Sequence, residues 1–329
     1  GEKFHPLPVG FIIDSPWLPN WAGITILDYF SNDDLWFNAN KRAIDTFPQC
    51  MFLPGYWSEF GMCTEPSAFG APCRFPVNEF PHAFPCLQTT DAINMLKKPN
   101  VETDGLLPFT LNRLRLNRSR IEESGHKIRF SVSRGPLNIA AHLMGTTEFL
   151  MAMLTEPEKI HLLMRIITDF LIEWHDLQKK TIDSIDGIFV LDDIIGFIGT
   201  EQFIEFGLPY FKEIFNRKVS VKFLHNDAQC EASVEYYREM GINLFNMAFD
   251  TSLNSLKEKT KNTITMLGNI PPRDVLANGT VDDVKKAVTD MINSLNDRSR
   301  IIVSCGGGMP PAVKTSHINA FIEAVNQLT

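Results

Sequence analysis

The stretch Ile188-Phe189-Val190-Leu191-Asp192-Asp193 runs four consecutive apolar residues into two carboxylates. Nothing in it alternates, so a strand built from it is buried on both faces, the habit of a parallel sheet covered by helices. The same form recurs along the 329 residues, at 9–13, 50–53, 128–132, 219–224, 242–245, 263–267 and 300–304. Between these runs, apolar residues at three- and four-residue spacing mark helices over 147–154, 156–182, 201–215, 230–240, 281–295 and 316–328. Thr155-Glu156-Pro157-Glu158 opens the second of them with a capping hydroxyl, a first-turn proline and acidic charge near the positive end of the helix dipole.

Eight strands alternating with helices predict a single α/β domain over 1–329, a (β/α)8 TIM barrel. A doubly wound open sheet is the rival, and the chain lacks both a Gly-x-Gly-x-x-Gly turn after its first strand and a Gly-Lys-Ser/Thr loop. Residues 60–112 break the rhythm with Pro66, Pro72, Pro76, Pro81, Pro85, Pro99 and Pro108. Such a segment is not mostly helix, and it is expected as a long loop excursion of the N-terminal half over the barrel mouth.

Composition narrows the function. At 44% hydrophobic and 21% charged residues, the chain is neither disordered, collagen-like nor a coiled coil. Thirty-one basic against 39 acidic residues give a net charge of −8, which disfavours nucleic acid and anionic membrane as partners. No apolar run approaches the roughly 20 residues that span a bilayer, and the N-terminus has no basic-then-apolar signal pattern, so a cytoplasmic protein is expected. The six cysteines, Cys50, Cys63, Cys73, Cys86, Cys230 and Cys305, are too few for a disulfide framework, and the three in the excursion lack the paired spacing of a zinc ribbon. His142, His161 and His175 fall in helical patterns and are expected to be structural; Arg113, Arg115, Arg118 and Arg120 are expected on a solvated face.

Barrel active sites lie at the carboxyl ends of the strands. There the chain offers Asp14, Asp192, Asp193, His225, Asp227, Asn246, Asn269 and Cys305. Imidazole, carboxylate and thiolate together are the ligand chemistry of zinc. Against this, the aspartates could cap the following helices and Cys305 could be a small buried apolar residue. His225-Asn226-Asp227 sets two ligand types two residues apart, on one face if the strand is still extended there. In Ser304-Cys305-Gly306-Gly307-Gly308 a cysteine precedes three glycines, which let backbone and ligand approach closely or simply turn the chain before Pro310-Pro311. Asp192 and Asp193 are candidates for a general base or ligand, and Glu65 is an acid in the excursion within reach of the same role.

Several segments carry a family resemblance. They are Arg134-Gly135-Pro136-Leu137; Asp192-Asp193-Ile194 followed by Phe203, Phe206 and Pro209-Tyr210-Phe211-Lys212; Leu267-Gly268-Asn269-Ile270-Pro271-Pro272 with Gly279-Thr280; and Cys305-Gly306-Gly307-Gly308-Met309-Pro310-Pro311. In this order they resemble the uroporphyrinogen decarboxylase superfamily, which includes corrinoid-linked methyltransferases; the likeness is close over 128–329 and loose before it. The decarboxylase branch carries an N-terminal Arg-Gln-Ala-Gly-Arg-Tyr segment and a Phe-Ser-Asp-Ile motif. This chain reads Leu18-Pro19-Asn20-Trp21-Ala22-Gly23 and Phe52-Leu53-Pro54-Gly55 there, and its first 60 residues offer only Lys3, Lys41 and Arg42 to a polyanion. The methyltransferase branch has a His-x-Cys pair and a distant C-terminal Cys holding zinc. His225 and Cys305 match, while Asp227 stands where a cysteine would be, a harder ligand suited to polarising oxygen.

The resemblance implies a zinc-dependent methyltransferase moving a methyl group between a small substrate (a methyl ether, methanol, methylamine or thiol) and a corrinoid, methylcobalamin, carried by a partner protein. It implies zinc on His225, Asp227 and Cys305, with Glu65 as an additional ligand, catalytic roles for Asp192, Asp193 and Asn269, and cofactor contacts at Gly306 and Gly307. A homodimer is compatible with it. The runner-up is a tetrapyrrole decarboxylase, which needs no metal, and a non-catalytic small-molecule-binding barrel follows.

Overall fold

The computed structural model describes residues 4–13 and 16–328. All eight expected strands are present: β1 (Val9–Ile12), β2 (Cys50–Leu53), β3 (Phe130–Arg134), β4 (Gly187–Leu191), β5 (Val221–Asn226), β6 (Leu244–Met247), β7 (Thr265–Ile270) and β8 (Ile301–Cys305). They form one curled parallel sheet in the order β2-β1-β8-β7-β6-β5-β4-β3, wrapped by helices, and the fold is a single (β/α)8 TIM barrel. Among the described residues no ladder joins β2 to β3. On the open edge of β3, the Gln178 side chain from helix Pro157–Thr181 takes the place of a neighbouring strand: its Oε1 accepts from Val132 N at 2.9 Å and its Nε2 donates to Val132 O at 3.0 Å. A cleft of about 620 Å³ opens beside this seam, lined by residues that include Met51, Tyr56, His126, Arg129 and Phe130.

The two faces of each strand have separate occupants. Ile12, Leu53, Phe130, Val132, Phe189, Leu191, Val221, Phe223, Leu244, Leu267 and Ile302 fill the barrel interior, with the Phe189 and Phe223 rings stacked at 4.1 Å. Their neighbours, such as Phe11, Ile188, Val190, Leu224, Phe245, Val303 and Cys305, face the helices. Because side chains alternate along a strand, this phase decides which residues reach the mouth from inside. Continuing it beyond the apolar layer selects Asp193 after Leu191, His225 after Phe223, Asn246 after Leu244, Asn269 after Leu267, and Ser304 after Ile302.

The excursion carries more structure than expected. It contains a short helix, Thr64–Ala68, an antiparallel pair, Cys73–Arg74 with His82–Ala83, and a 3-10 turn, Thr90–Met95. It ends before residue 112, because helix Leu107–Glu123 accepts Pro108 in its first turn, where no backbone N–H is needed. Nor does it lie wholly over the mouth. Phe69 packs edge-on against Phe170 at 4.9 Å, and the Cys86 and Leu87 amides both donate to Leu143 O at 2.9 Å, while just ahead of the excursion the Trp57 ring enters the barrel interior 5.8 Å from that of Phe189.

The arginine run is only partly solvated. Arg118 pairs with Glu122 and Asp183, and Arg120 with Asp34, at the surface. Arg113 is instead buried, with Nε 2.7 Å from Asp33 Oδ1 and its guanidinium against the Trp36 and Phe60 rings. Thr155 does not cap the long helix: its hydroxyl donates back to Met151 O, and Glu156 occupies the cap position without a side-chain capping bond to the helix. His175 is structural as expected, buried between Ser131 Oγ and Ser133 Oγ at 2.9 Å each. Among the described residues no single helix is long and apolar enough to cross a membrane.

Candidate metal centre

At the carboxyl ends of β4 and β5, Asp193, His225 and Asp227 each offer a ligand atom, all within 4.8 Å of one another. The surrounding hydrogen bonds set the tautomer of the histidine. Asn246 Nδ2 donates to Leu267 O at 2.7 Å and to Cys305 O at 3.4 Å, which leaves its Oδ1 as acceptor. His225 Nδ1 lies 2.8 Å from that oxygen and must carry a proton, so in the neutral ring the lone pair belongs to Nε2, which faces Asp193 Oδ1 at 3.7 Å. This is how proteins orient metal-binding imidazoles. Asp193 Oδ1 also accepts the Asp227 amide at 3.1 Å, tying the two aspartates together across the loop. Burial falls from His225 through Asp193 to exposed Asp227, so the cluster opens outward at the mouth.

The glycine loop after β8 closes one flank. Gly306 N donates to Ile270 O at 2.9 Å and Gly307 N to Met247 O at 3.1 Å. A Cβ on Gly306 would stand 2.5 Å from Phe249 N. At Gly307, φ is +74° and a Cβ would stand 3.0 Å from Asp227 Oδ2. The expected close approach at these glycines is thus made to the protein's own Phe249 and Asp227. Gly307→Ala should cost about 1–3 kcal/mol through its left-handed backbone, read by denaturant unfolding, and should weaken metal affinity by displacing Asp227, read by metal titration.

Asp192, one residue out of phase with Asp193, faces away from the mouth. Its Oδ2 accepts the amides of Leu137 at 2.9 Å and Asn138 at 3.1 Å, and its Oδ1 accepts that of Ile194 at 3.2 Å. Burial pushes its carboxyl up, while those donors and the N-terminus of helix Pro136–Met144 pull it back. Gly135 makes room for it, since a Cβ there would lie 2.3 Å from Oδ2. The helix-capping alternative therefore describes Asp192, and the structure gives it no position at the mouth. Asp192→Ala should lower stability by about 1–3 kcal/mol in denaturant unfolding, through buried donors left unpaired, with metal content unchanged.

Asn269 holds the loop after β6, donating to Thr251 O at 2.6 Å and more weakly to Phe249 O at 3.3 Å and Ala248 O at 3.4 Å. It thereby seats Phe249 against Gly306. The structure does not bring Cys305 or Glu65 into the cluster. Cys305 is fully buried on the helix-facing side of β8, its Sγ is 3.5 Å from Gly307 O, and burial pushes its thiol up to about 12. Glu65 is buried in the excursion with Oε2 lacking a hydrogen-bond partner; burial pushes it up to about 7 against the pull of nearby Arg134. Asp14 lies outside the described residues.

Two residues already marked in the sequence take roles it did not assign. Asn246, one of the polar residues ending a strand, orients His225, and it lies in phase with Leu244. Arg134, in phase with Phe130 and Val132, pairs with Glu59 at 2.7 Å in a buried ion pair. One imidazole nitrogen and two carboxylates form a set that fits a divalent ion of the zinc type, harder than one built on thiolates.

Comparison with known proteins agrees with this architecture. Residues 20–328 match the uroporphyrinogen decarboxylase (URO-D) family. A uroporphyrinogen decarboxylase from Hahella chejuensis is 24% identical over 281 residues, covering 81% of this chain and 76% of its own. One from Xanthomonas campestris pv. campestris is 24% identical over 325 residues, covering 93% and 88%. Among solved structures, a methyltransferase from Methanosarcina mazei superposes with a TM-score of 0.82 at 16% identity, covering 99% of this chain and 95% of its own. A B12-independent methionine synthase from Shewanella superposes with a TM-score of 0.65 at 10% identity, covering 98% of each chain. At such identities the superpositions speak for the shared barrel alone, but the sequence match runs over nearly the whole chain, and this protein belongs to the uroporphyrinogen decarboxylase family.

Proposed function

We propose that this protein is a zinc-dependent methyltransferase that moves a methyl group between a small oxygen, nitrogen or sulfur compound and a corrinoid carried by a partner protein in the cytoplasm. The observation that carries the reading is His225 Nε2, aimed by Asn246 at two carboxylates on an open barrel mouth. Zinc held by Asp193, His225 and Asp227 supplies Lewis acidity to a substrate heteroatom.

The remaining work falls to the chain. Asn246 keeps His225 in the tautomer that leaves Nε2 free of a proton. Two carboxylates balance a divalent charge, and their hardness favours an oxygen substrate such as methanol or a methyl ether over a thiol. Phe197 and Phe249, exposed on the loops after β4 and β6, offer an apolar rim to a methyl or aryl group. The relatives named as decarboxylases support a second reading. Against it, Arg134 at the carboxyl end of β3 is already committed to Glu59, while a substrate with many carboxylates requires fixed cations.

The test is to incubate the zinc-loaded protein with methylcobalamin and, in turn, methanol, methylamine, thiols and methoxyarenes, following the cobalt spectrum and the methylated product. Uroporphyrinogen is assayed in parallel. Methyl transfer with at least one acceptor or donor is expected. Decarboxylation without methyl transfer overturns the proposal, and so does bound zinc with no turnover of any kind.

A further inference from the structure

The seam between β2 and β3 leaves backbone groups without a neighbouring strand, and the ladders on either side show which. Leu53 O accepts from Ile13 N at 2.8 Å, so Met51 and Leu53 turn their backbone groups toward β1, and Phe52 between them turns its own into the seam. On β3, Arg129 O accepts from Asp186 N at 2.9 Å and Gly135 N donates to Leu191 O at 2.7 Å. The odd-numbered residues there serve β4, while Phe130 and Val132 face the seam. Gln178 satisfies Val132. Phe52 and Phe130 direct their N–H and C=O groups into the cleft of about 620 Å³, a volume suited to a small organic ligand.

The walls of the cleft divide by chemistry. Ile44, Met51, Leu53 and Phe130 are apolar, and the Tyr56 and His126 rings meet there with centroids 6.2 Å apart. The loop from helix Leu107–Glu123 into β3 adds Lys127 and Arg129. Both are exposed, and among the described residues neither side chain is held in an ion pair or a hydrogen bond. The acids nearby are engaged elsewhere. Asp45, the carboxylate that lines the cleft, pairs with Lys41, and Asp186, beside Arg129, accepts from Ser220 N at 3.1 Å and Ser220 Oγ at 2.5 Å. A chain of net charge −8 thus presents two unengaged cations at an apolar cleft.

We propose that the seam cleft is a second ligand site, built for a small aromatic carboxylate. It lies along β2 and the amino-terminal end of β3, whereas the metal cluster stands at the carboxyl ends of β4 and β5. The carboxylate takes charge-assisted hydrogen bonds from Arg129 and Lys127. The ring lies against Met51, Leu53 and Phe130, with the Tyr56 and His126 rings beside it. A hydroxyl on the ring meets the backbone groups of Phe52 and Phe130, which have no strand to pair with.

The experiment titrates the full chain calorimetrically with salicylate and with its neutral counterpart salicylamide, before and after metal is removed with EDTA. One equivalent of salicylate should bind in both metal states, and salicylamide should bind at least about 10-fold more weakly, the scale of a lost charge-assisted hydrogen bond. The Lys127→Gln, Arg129→Gln double variant, altered only at exposed positions, should lose the same factor for salicylate and keep the wild-type affinity for salicylamide. Arg300→Gln, in the neighbouring pocket that shares Met51 and is also lined by Arg298, should bind as wild type does. An absence of saturable binding, equal affinity for the two compounds, or an unaffected double variant overturns the proposal. So does loss of binding on metal removal, which places the carboxylate on the metal, or in Arg300→Gln, which places it in the neighbouring pocket.

Discussion

A His225→Ala variant should emerge from purification without stoichiometric metal and with methyl transfer reduced at least 100-fold. The imidazole is the buried member of the cluster and the one whose orientation the fold enforces. Asn246→Ala touches no metal directly, yet it frees the ring to rotate or change tautomer, and loss of such a supporting hydrogen bond costs about 10–100-fold in metal affinity. Cys305→Ala should leave metal content unchanged, because the thiol sits on the helix side of β8, protonated by burial. Elemental analysis of the three variants, with competitive titration for Asn246→Ala, checks the series. If Cys305→Ala strips the metal as thoroughly as His225→Ala does, the ligand set read from the structure is wrong and the thiolate set is right.

That contrast also shows where the sequence was readable. The strands were legible because each is a compact apolar run, and burial on both faces leaves no polar interruption to blur it. The same property hides the phase. In Ile301-Ile302-Val303-Ser304-Cys305 every residue is acceptable on either face, so nothing local says that Ile302 points inward and Cys305 outward; the neighbouring strands decide. For β5 the pair His225 and Asp227 was found because the two share a parity, and parity survives ignorance of the phase. Asp192 and Asp193 were inseparable in the sequence, since adjacent residues must face oppositely and either could have been the inward one. Glu65 and Arg113 belong to a different class. Each lies where an excursion or a helix meets the barrel, and their burial depends on contacts with Arg134 and Asp33, distant in sequence.

The buried charges beneath the excursion set the second large effect. Arg134→Met should lower stability by about 3–5 kcal/mol, because the buried Glu59 would lose this ion pair. Glu65, which sits in the same field, then loses the one neighbouring charge that pulls its carboxyl down. In wild type the folded-state pKa of about 7 lies above the 4.5 of the ordinary carboxyl. Between those values the folded protein therefore holds more proton than the unfolded chain. By linkage the contribution of Glu65 is fully present below the unfolded value and is lost as pH rises through about 7. Full conversion of such a shift is worth about 3 kcal/mol as an upper bound. Glu65→Gln, neutral at every pH, should match wild type near pH 5 and exceed it by about 1–3 kcal/mol at pH 8 in denaturant unfolding. Metal content in this variant should stay at the wild-type level, since Glu65 lies outside the Asp193, His225 and Asp227 cluster. A Glu65→Gln protein that loses its metal while keeping its fold would return that carboxylate to the ligand set, and a flat difference from wild type between pH 5 and pH 8 would show that the buried acid is charged throughout.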